Sequence, residues 1–136
     1  MSNSLSDPAN HCFACGPTNP IGLRLKFSLE GEVCVATFTP GEHHVGYNDV
    51  VHGGLLFTAL DDVMANWLYL QSVTAYTAKA SVRYRRHAKV GEALALRGEC
   101  LSRRRRHVTL KGSATEVSSG DIVCETEAVF MIASPE

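Results

Sequence analysis

Val50-Val51-His52-Gly53-Gly54 runs directly into Leu55-Leu56-Phe57-Thr58-Ala59-Leu60-Asp61-Asp62-Val63-Met64-Ala65-Asn66-Trp67-Leu68-Tyr69-Leu70. This is the one long stretch that reads as helix: two glycines, then a run of good helix formers without proline. At about 100° per residue, Leu56, Phe57, Leu60, Val63, Met64, Trp67, Leu68 and Leu70 cover more than half the circumference. A face that wide has to be embraced by other structure, not laid on a surface. Thr58, Asp62, Ala65, Asn66 and Tyr69 form the narrower polar stripe, and Asp62, near its middle, reads as solvated. Asp61 falls at the border beside Phe57 and Leu68. Partial desolvation there raises a carboxylate's pKa and suits it to base chemistry.

The rest of the chain supplies the embrace. Residues 1–10 read as a flexible tail and 11–136 as one domain, long enough to bury a core. Ile21 to Lys26 and Val33 to Phe38 read as two short strands joined at Glu30-Gly31-Glu32. Gly41 to Asp49 is the loop that feeds the helix. After the helix the pattern becomes β throughout. Ala78, Ala80, Val82 and Tyr84 alternate with Lys79, Ser81 and Arg83, and Val90-Gly91-Glu92 marks a turn. Leu94, Leu96 and Cys100, then Val108, Leu110 and Ala114, give two more strands, and Ser118-Ser119-Gly120-Asp121 turns the chain into a last strand, Ile122 to Ile132. Two strands, one broad apolar helix and four strands on short turns predict an α+β chain. An antiparallel sheet of five to six strands must curl around one long central helix, which is the hotdog architecture.

Bulk composition excludes several classes. The 136 residues are 45% hydrophobic and 20% charged, with net charge −1, which gives no global attraction to nucleic acid. Met1 to Asn10 is polar and lacks the basic and apolar regions of a signal peptide. The longest apolar stretch carries two adjacent aspartates, unlike a membrane span. Five cysteines, an odd count, argue against a disulfide framework and for a reduced, soluble, cytoplasmic setting. Cys12-Phe13-Ala14-Cys15-Gly16 opens a turn-rich loop. A zinc site would need two further ligands; His11 offers a third, no fourth stands out, and the motif reads as a packed structural loop with no metal.

Cys12-Phe13-Ala14-Cys15-Gly16, Asn19-Pro20-Ile21-Gly22-Leu23, His52-Gly53-Gly54 and Asp61 together resemble the hotdog-fold acyl-CoA thioesterases of the phenylacetate-degradation (PaaI) type. The likeness runs from Cys12 to Ile132, and its more specific part is the acid nine residues after the histidine, followed by Thr77 and a Val-x-Tyr strand. The resemblance implies that the Gly53 N–H polarises a thioester carbonyl, that Asp61 acts as general base or nucleophile, and that Thr77 assists. It also implies a homodimer, often paired into a homotetramer. Some relatives place Asn or Gln where this chain has Gly46, a role Asn48 could take, and a proline where it has His87.

The chemistry fits those residues. Thioester hydrolysis builds negative charge on the carbonyl oxygen, and free N–H groups at a helix N-terminus suit an oxyanion. His52 is a candidate base, although the plainer reading is that it fixes the start of the helix by hydrogen bonding. Asn48, Gly54 and Asp62 join the candidate substrate-contacting residues. Eight of the thirteen basic residues gather in two places: Arg103-Arg104-Arg105-Arg106 and the segment holding Arg83, Arg85, Arg86 and Lys89. They read either as solvated hairpin ends or as groups holding the phosphates of coenzyme A, with Arg85, Arg86 and Arg103 to Arg106 the candidates. RNA binding ranks below both, because no aromatic interleaves Arg103 to Arg106 to stack bases. The expected partners are an acyl-CoA and a second copy of the chain, with no nucleic acid, no membrane, and no cofactor apart from the coenzyme A of the substrate. The competing functions are a hotdog hydratase or dehydratase, working through a His–acid pair, and a non-catalytic acyl-CoA or nucleic-acid binder.

Overall fold

The structure, a computed structural model, describes residues 9–133. Six strands, β1 (Ser28–Glu30), β2 (Val33–Phe38), β3 (Ala75–Tyr84), β4 (Leu94–Arg104), β5 (His107–Glu116) and β6 (Ile122–Ile132), accompany one long helix, α1 (Gly53–Tyr69). A short 3-10 turn, Glu42–His44, precedes the helix. The sheet order is β1-β2-β4-β5-β6-β3, antiparallel at every pairing. This is the hotdog fold expected from the sequence.

The broad apolar face of α1 does what its width demands. Leu56, Leu60 and Val63 pack with Leu94, Leu96, Ala114 and Val123 of the sheet, while Met64 and Leu68 pack with Val108, Leu110 and Phe130. Two glycines let the helix lie directly on the strands. Gly98 of β4 and Gly112 of β5 stand opposite each other in register. A Cβ on Gly98 would sit 2.6 Å from the Val63 carbonyl oxygen, and one on Gly112 would sit 3.2 Å from Met64 Cγ. The pair makes a bare patch in the sheet under the middle of the helix. The helix stops at Tyr69 without a glycine; Ser72 takes the left-handed turn at φ 65°.

Three expectations need correction. Ile21 to Lys26 is not a strand; the first strand is Ser28–Glu30. The backbone donors of that segment go to the N-terminal loop instead, Leu23 N to Phe13 O and Leu25 N to Ala14 O, each 2.8 Å. This pairing carries the chain across the polar stripe of α1. The second correction is β3, whose alternation predicted one covered face. It is the edge strand, and apart from partly covered Ala75 and Val82 all its residues are exposed. The third concerns the tail. Residues 1–8 lie outside the described range, but Asn10 is buried and its carbonyl accepts from Thr18 N and Thr18 Oγ1.

Candidate active site

The start of α1 is fixed by its own cap. His52 is extended at φ −60°, ψ 127°, and its Nδ1 accepts from Gly54 N at 2.9 Å. Nδ1 is thereby an acceptor, which leaves the proton of the neutral ring on Nε2. The ring folds back so closely that a Cβ on Gly54 would lie 2.9 Å from His52 Cε1. The His52 carbonyl takes the N–H groups of Leu55 and Leu56. Gly53 N–H is left over, with no acceptor among the described residues. The loop holds this geometry from outside: His52 N donates to His44 O, and Val51 N to Ala88 O.

Tyr84, at the end of β3, closes the other side. Its hydroxyl donates to Gly53 O at 2.8 Å, and its ring lies where a Cβ on Gly53 would touch it at 3.4 Å. In the sequence Tyr84 is one beat of an alternating strand and the tyrosine of the Val-x-Tyr pattern; nothing local marks it as a neighbour of Gly53. A cavity of about 650 Å³ opens here, walled by Tyr47, His52, Gly53, Tyr84, Arg85 and His87 among others. Gly54 and Arg86 also line it, whereas Asn48, at φ 48° in the turn beside it, does not.

Asp61 lies two turns along the helix, about 12 Å from Gly53 at 1.5 Å per residue. Its Oδ1 accepts from Thr77 Oγ1 at 2.5 Å. Thr77 sits where the β3–β6 register slips between Thr77 and Lys79, a bulge that re-aims the side chain. Burial pushes the Asp61 carboxyl above its ordinary pKa, and the Thr77 hydrogen bond works against that rise. The structure therefore brings Asp61 to Thr77, and Gly53 to His52 and Tyr84, at two separate places on one helix.

Asp62 is not the solvated acid of the wheel. It is half-buried and its neighbour Asn66 is fully so. Its carboxyl is pushed up to about 7, chiefly by burial and then by Cys12. The reason is tertiary. The loop that replaces the expected first strand covers this stripe, with Cys12 Sγ 3.8 Å from Asp62 Oδ1, while Asp62 Oδ2 accepts from Asn66 Nδ2 at 3.1 Å. Asp62 thus faces the N-terminal loop, and it is not among the walls of the His52 cavity. Among the described residues, Cys12, Cys15 and Asp62 are a group that could hold a metal, their ligand atoms lying within 4.8 Å of one another. His11 is turned elsewhere, with Nδ1 against Thr18 Oγ1 at 3.0 Å.

The basic residues divide by location. Arg85 leaves about half its side chain exposed and pairs with Glu125 at 2.8 Å. Arg86 is enclosed by Glu92, Glu116 and Asp121 at 3.1–3.8 Å. Arg103 to Arg106 form the exposed β4–β5 hairpin, where Arg106 donates to Ile132 O. By register (Arg103 opposite Val108, Val108 opposite Phe130, Phe130 opposite Thr77) that hairpin shares the Asp61 end of the sheet, away from the Gly53 cavity.

Comparison with known proteins agrees with the fold. A thioesterase superfamily protein designated RHA08564 superposes with a TM-score of 0.82 at 26% identity, covering 90% of this chain and 63% of that one. A hypothetical thioesterase from Streptococcus pneumoniae, solved with coenzyme A, superposes at 0.76 with 20% identity, covering 82% and 90%. The PaaI protein of the E. coli phenylacetic acid degradation operon gives 0.76 at 16%, covering 82% and 81%. No protein of curated function matches the sequence at a significant level. Residues 48–126, which hold the helix, its cap, Asp61 and Thr77, match the Thioesterase superfamily, and the chain belongs to that superfamily.

Proposed function

We propose that this protein hydrolyses acyl-CoA thioesters to a free acid and coenzyme A. The observation that carries the reading is that one helix presents two complementary groups. Its N-terminus offers an uncommitted Gly53 N–H on a cavity of about 650 Å³, and its middle offers a desolvated Asp61 oriented by Thr77. An N–H at the positive end of a helix stabilises the developing oxyanion. Asp61 activates water or attacks the carbonyl directly, through an anhydride. The S. pneumoniae neighbour contains coenzyme A. That protein has also been crystallised with alanine replacing an aspartate, and replacing a threonine sixteen positions further on. Asp61 and Thr77 are likewise sixteen apart.

The two groups are too far apart to act on one carbonyl within one chain. In this reading the site is therefore shared across a homodimer, with Gly53 of one copy near Asp61 of the other. The exposed edge strand β3, which carries Thr77 and Tyr84, is the surface a second copy would cover. Arg85 and Arg103 to Arg106 are the candidates for the coenzyme phosphates. A hydratase would need a His–acid pair, and His52 Nδ1 is instead spent on the helix cap.

The test is free-thiol release from short-chain, long-chain and aromatic acyl-CoAs by the wild-type protein and by Asp61→Asn. Turnover should fall about a hundredfold or more while acyl-CoA binding survives, because an amide can be neither base nor nucleophile. Hydration of an enoyl-CoA without thiol release, or an undiminished Asp61→Asn variant, would overturn the reading.

A further inference from the structure

The Cys12–Cys15 loop has a geometry that thioester chemistry does not use. Cys12 Sγ, Cys15 Sγ and a carboxylate oxygen of Asp62 lie mutually within 4.8 Å, all three residues half-buried. An ion about 2.3 Å from each sulfur and 2.1 Å from the oxygen would set the tetrahedral S···O edge near 3.6 Å. The Cys12 Sγ to Asp62 Oδ1 distance is 3.8 Å. Small side-chain adjustments therefore suffice to close the three groups on one ion.

The surroundings suit metal ligands. Cys12 Sγ lies within 4.8 Å of Cys15 Sγ and donates toward Asp62 Oδ1 at 3.8 Å, a proton that a bound ion would replace. The loop that holds them is built tightly. Gly16 N donates to Cys12 O at 2.8 Å, and a Cβ on Gly16 would lie 2.4 Å from Cys12 N, so the turn closes only with glycine. Asp62 is oriented by buried Asn66, which leaves Oδ1 toward the sulfur, as outer partners of metal ligands do. Two thiols and a carboxyl share one half-buried space. Once deprotonated as ligands, the three groups would concentrate negative charge, which a small divalent cation offsets. Cys15 and Asn66 also line a second cavity, of about 360 Å³, which gives a route to the fourth position.

We infer that Cys12, Cys15 and Asp62 bind one divalent metal ion, with water or another small ligand completing the tetrahedron. Two thiolates select a borderline-soft ion, and zinc suits such a set. Two ligands come from the loop and one from α1, so the ion ties the loop down over the helix. Both thiols, Cys12 and Cys15, release their protons to solvent as the ion binds, and Asp62 binds as the carboxylate. The inference stands independently of the thioesterase reading.

The experiment uses the full chain, untagged and kept reduced, with all five thiols confirmed free by counting. Metal content is measured after purification without chelator, and the chelator-stripped protein is then titrated with Co²⁺. One equivalent of zinc as purified, or one equivalent of Co²⁺ giving thiolate-to-cobalt absorption that Zn²⁺ abolishes, is the expected result. Cys12→Ser and Cys15→Ser should each lose that absorption. Asp62→Asn should weaken binding, and Asn66→Leu should weaken it about 10- to 100-fold. Chelation should also lower the melting temperature of wild-type protein, whatever its activity. Reduced wild-type protein that shows neither bound metal nor cobalt–thiolate absorption overturns the inference without reference to any variant. Unchanged affinity in a folded Asp62→Asn overturns the three-residue site.

Discussion

Thr77 Oγ1 donates to Asp61 Oδ1 at 2.5 Å, across from the edge strand to the central helix. The hydroxyl fixes one carboxylate oxygen and leaves the other for a water or a carbonyl carbon. Thr77→Val keeps the shape and removes the donor. A hydrogen bond to a charged group contributes about 1.5–3 kcal/mol. The expected loss is therefore roughly tenfold to a hundredfold in kcat, with KM little changed and Thr77→Ser largely restoring the rate. A kcat unmoved by Thr77→Val would show that the contact holds the strand and not the acid.

His52 is expected to act through the cap. His52→Asn retains a good N-cap acceptor, whereas His52→Ala loses it at a cost of about 0.5–2 kcal/mol. The Asn variant should keep near-wild-type stability and most of its turnover; the Ala variant should lose both in part. Equal inactivity of the two, with the Asn variant as stable as wild type, would return His52 to a role as base.

The helix and its wrapping strands were legible because their signals are periodic and local. The broad apolar face of Leu56 to Leu68 and the span of β6 both follow from spacing alone. What stayed hidden depends on segments far apart in sequence. The wheel left the Asp62 stripe open because no periodicity announces that residues 12–25 will cross it. Tyr84 meets Gly53 across 31 positions, and Cys12 meets Asp62 across 50. Asp61 stands out by its place at the border of the apolar face, whereas Thr77 is marked only by the family spacing. Gly98 and Gly112 had no local signal either; each is an ordinary strand position until the helix is laid over it.

That bare patch gives a stability prediction. A methyl on Gly98 meets the Val63 backbone at 2.6 and 2.9 Å, and backbone cannot swing aside. On Gly112 it meets Thr126 Cγ2 and Met64 Cγ at 3.1 and 3.2 Å, and a methionine yields more readily. Gly98→Ala should cost about 1–3 kcal/mol or more, and Gly112→Ala distinctly less. Denaturant midpoints at unchanged slope measure the difference; the reverse order would mean that the helix does not bear on β4 as described.

The arginines should separate into two kinds. Replacing Arg103 to Arg106 pairwise by Ala should raise KM for acyl-CoA more than it lowers kcat, because contacts remote from the thioester bind ground and transition states alike. A small thioester lacking the nucleotide should be indifferent to the change. Arg86→Ala should instead lower stability, since it leaves Glu92, Glu116 and Asp121 together without their shared cation. If the small thioester suffers as much as acyl-CoA from the hairpin substitutions, those four arginines serve the fold and not the coenzyme.

The shared site is tested by complementation. Asp61→Asn removes the acid, and Gly53→Pro removes the N–H while proline remains acceptable in the first helical turn. The extended backbone of His52, at ψ 127°, is also one that a following proline accepts. Each variant, shown separately to be folded and dimeric, should be inactive alone. In a mixed dimer one site carries both lesions. The other combines the intact Gly53 of the Asp61→Asn chain with the intact Asp61 of the Gly53→Pro chain. Random exchange makes half the dimers mixed, each with one working site of two, so about a quarter of wild-type activity should return. A helix rising 1.5 Å per residue holds Gly53 and Asp61 about 12 Å apart, which is why recovery requires groups from two chains. No recovery in a population shown to contain mixed dimers would mean that Asp61 and Gly53 do not meet across the interface, and the mechanism built on their pairing would fall.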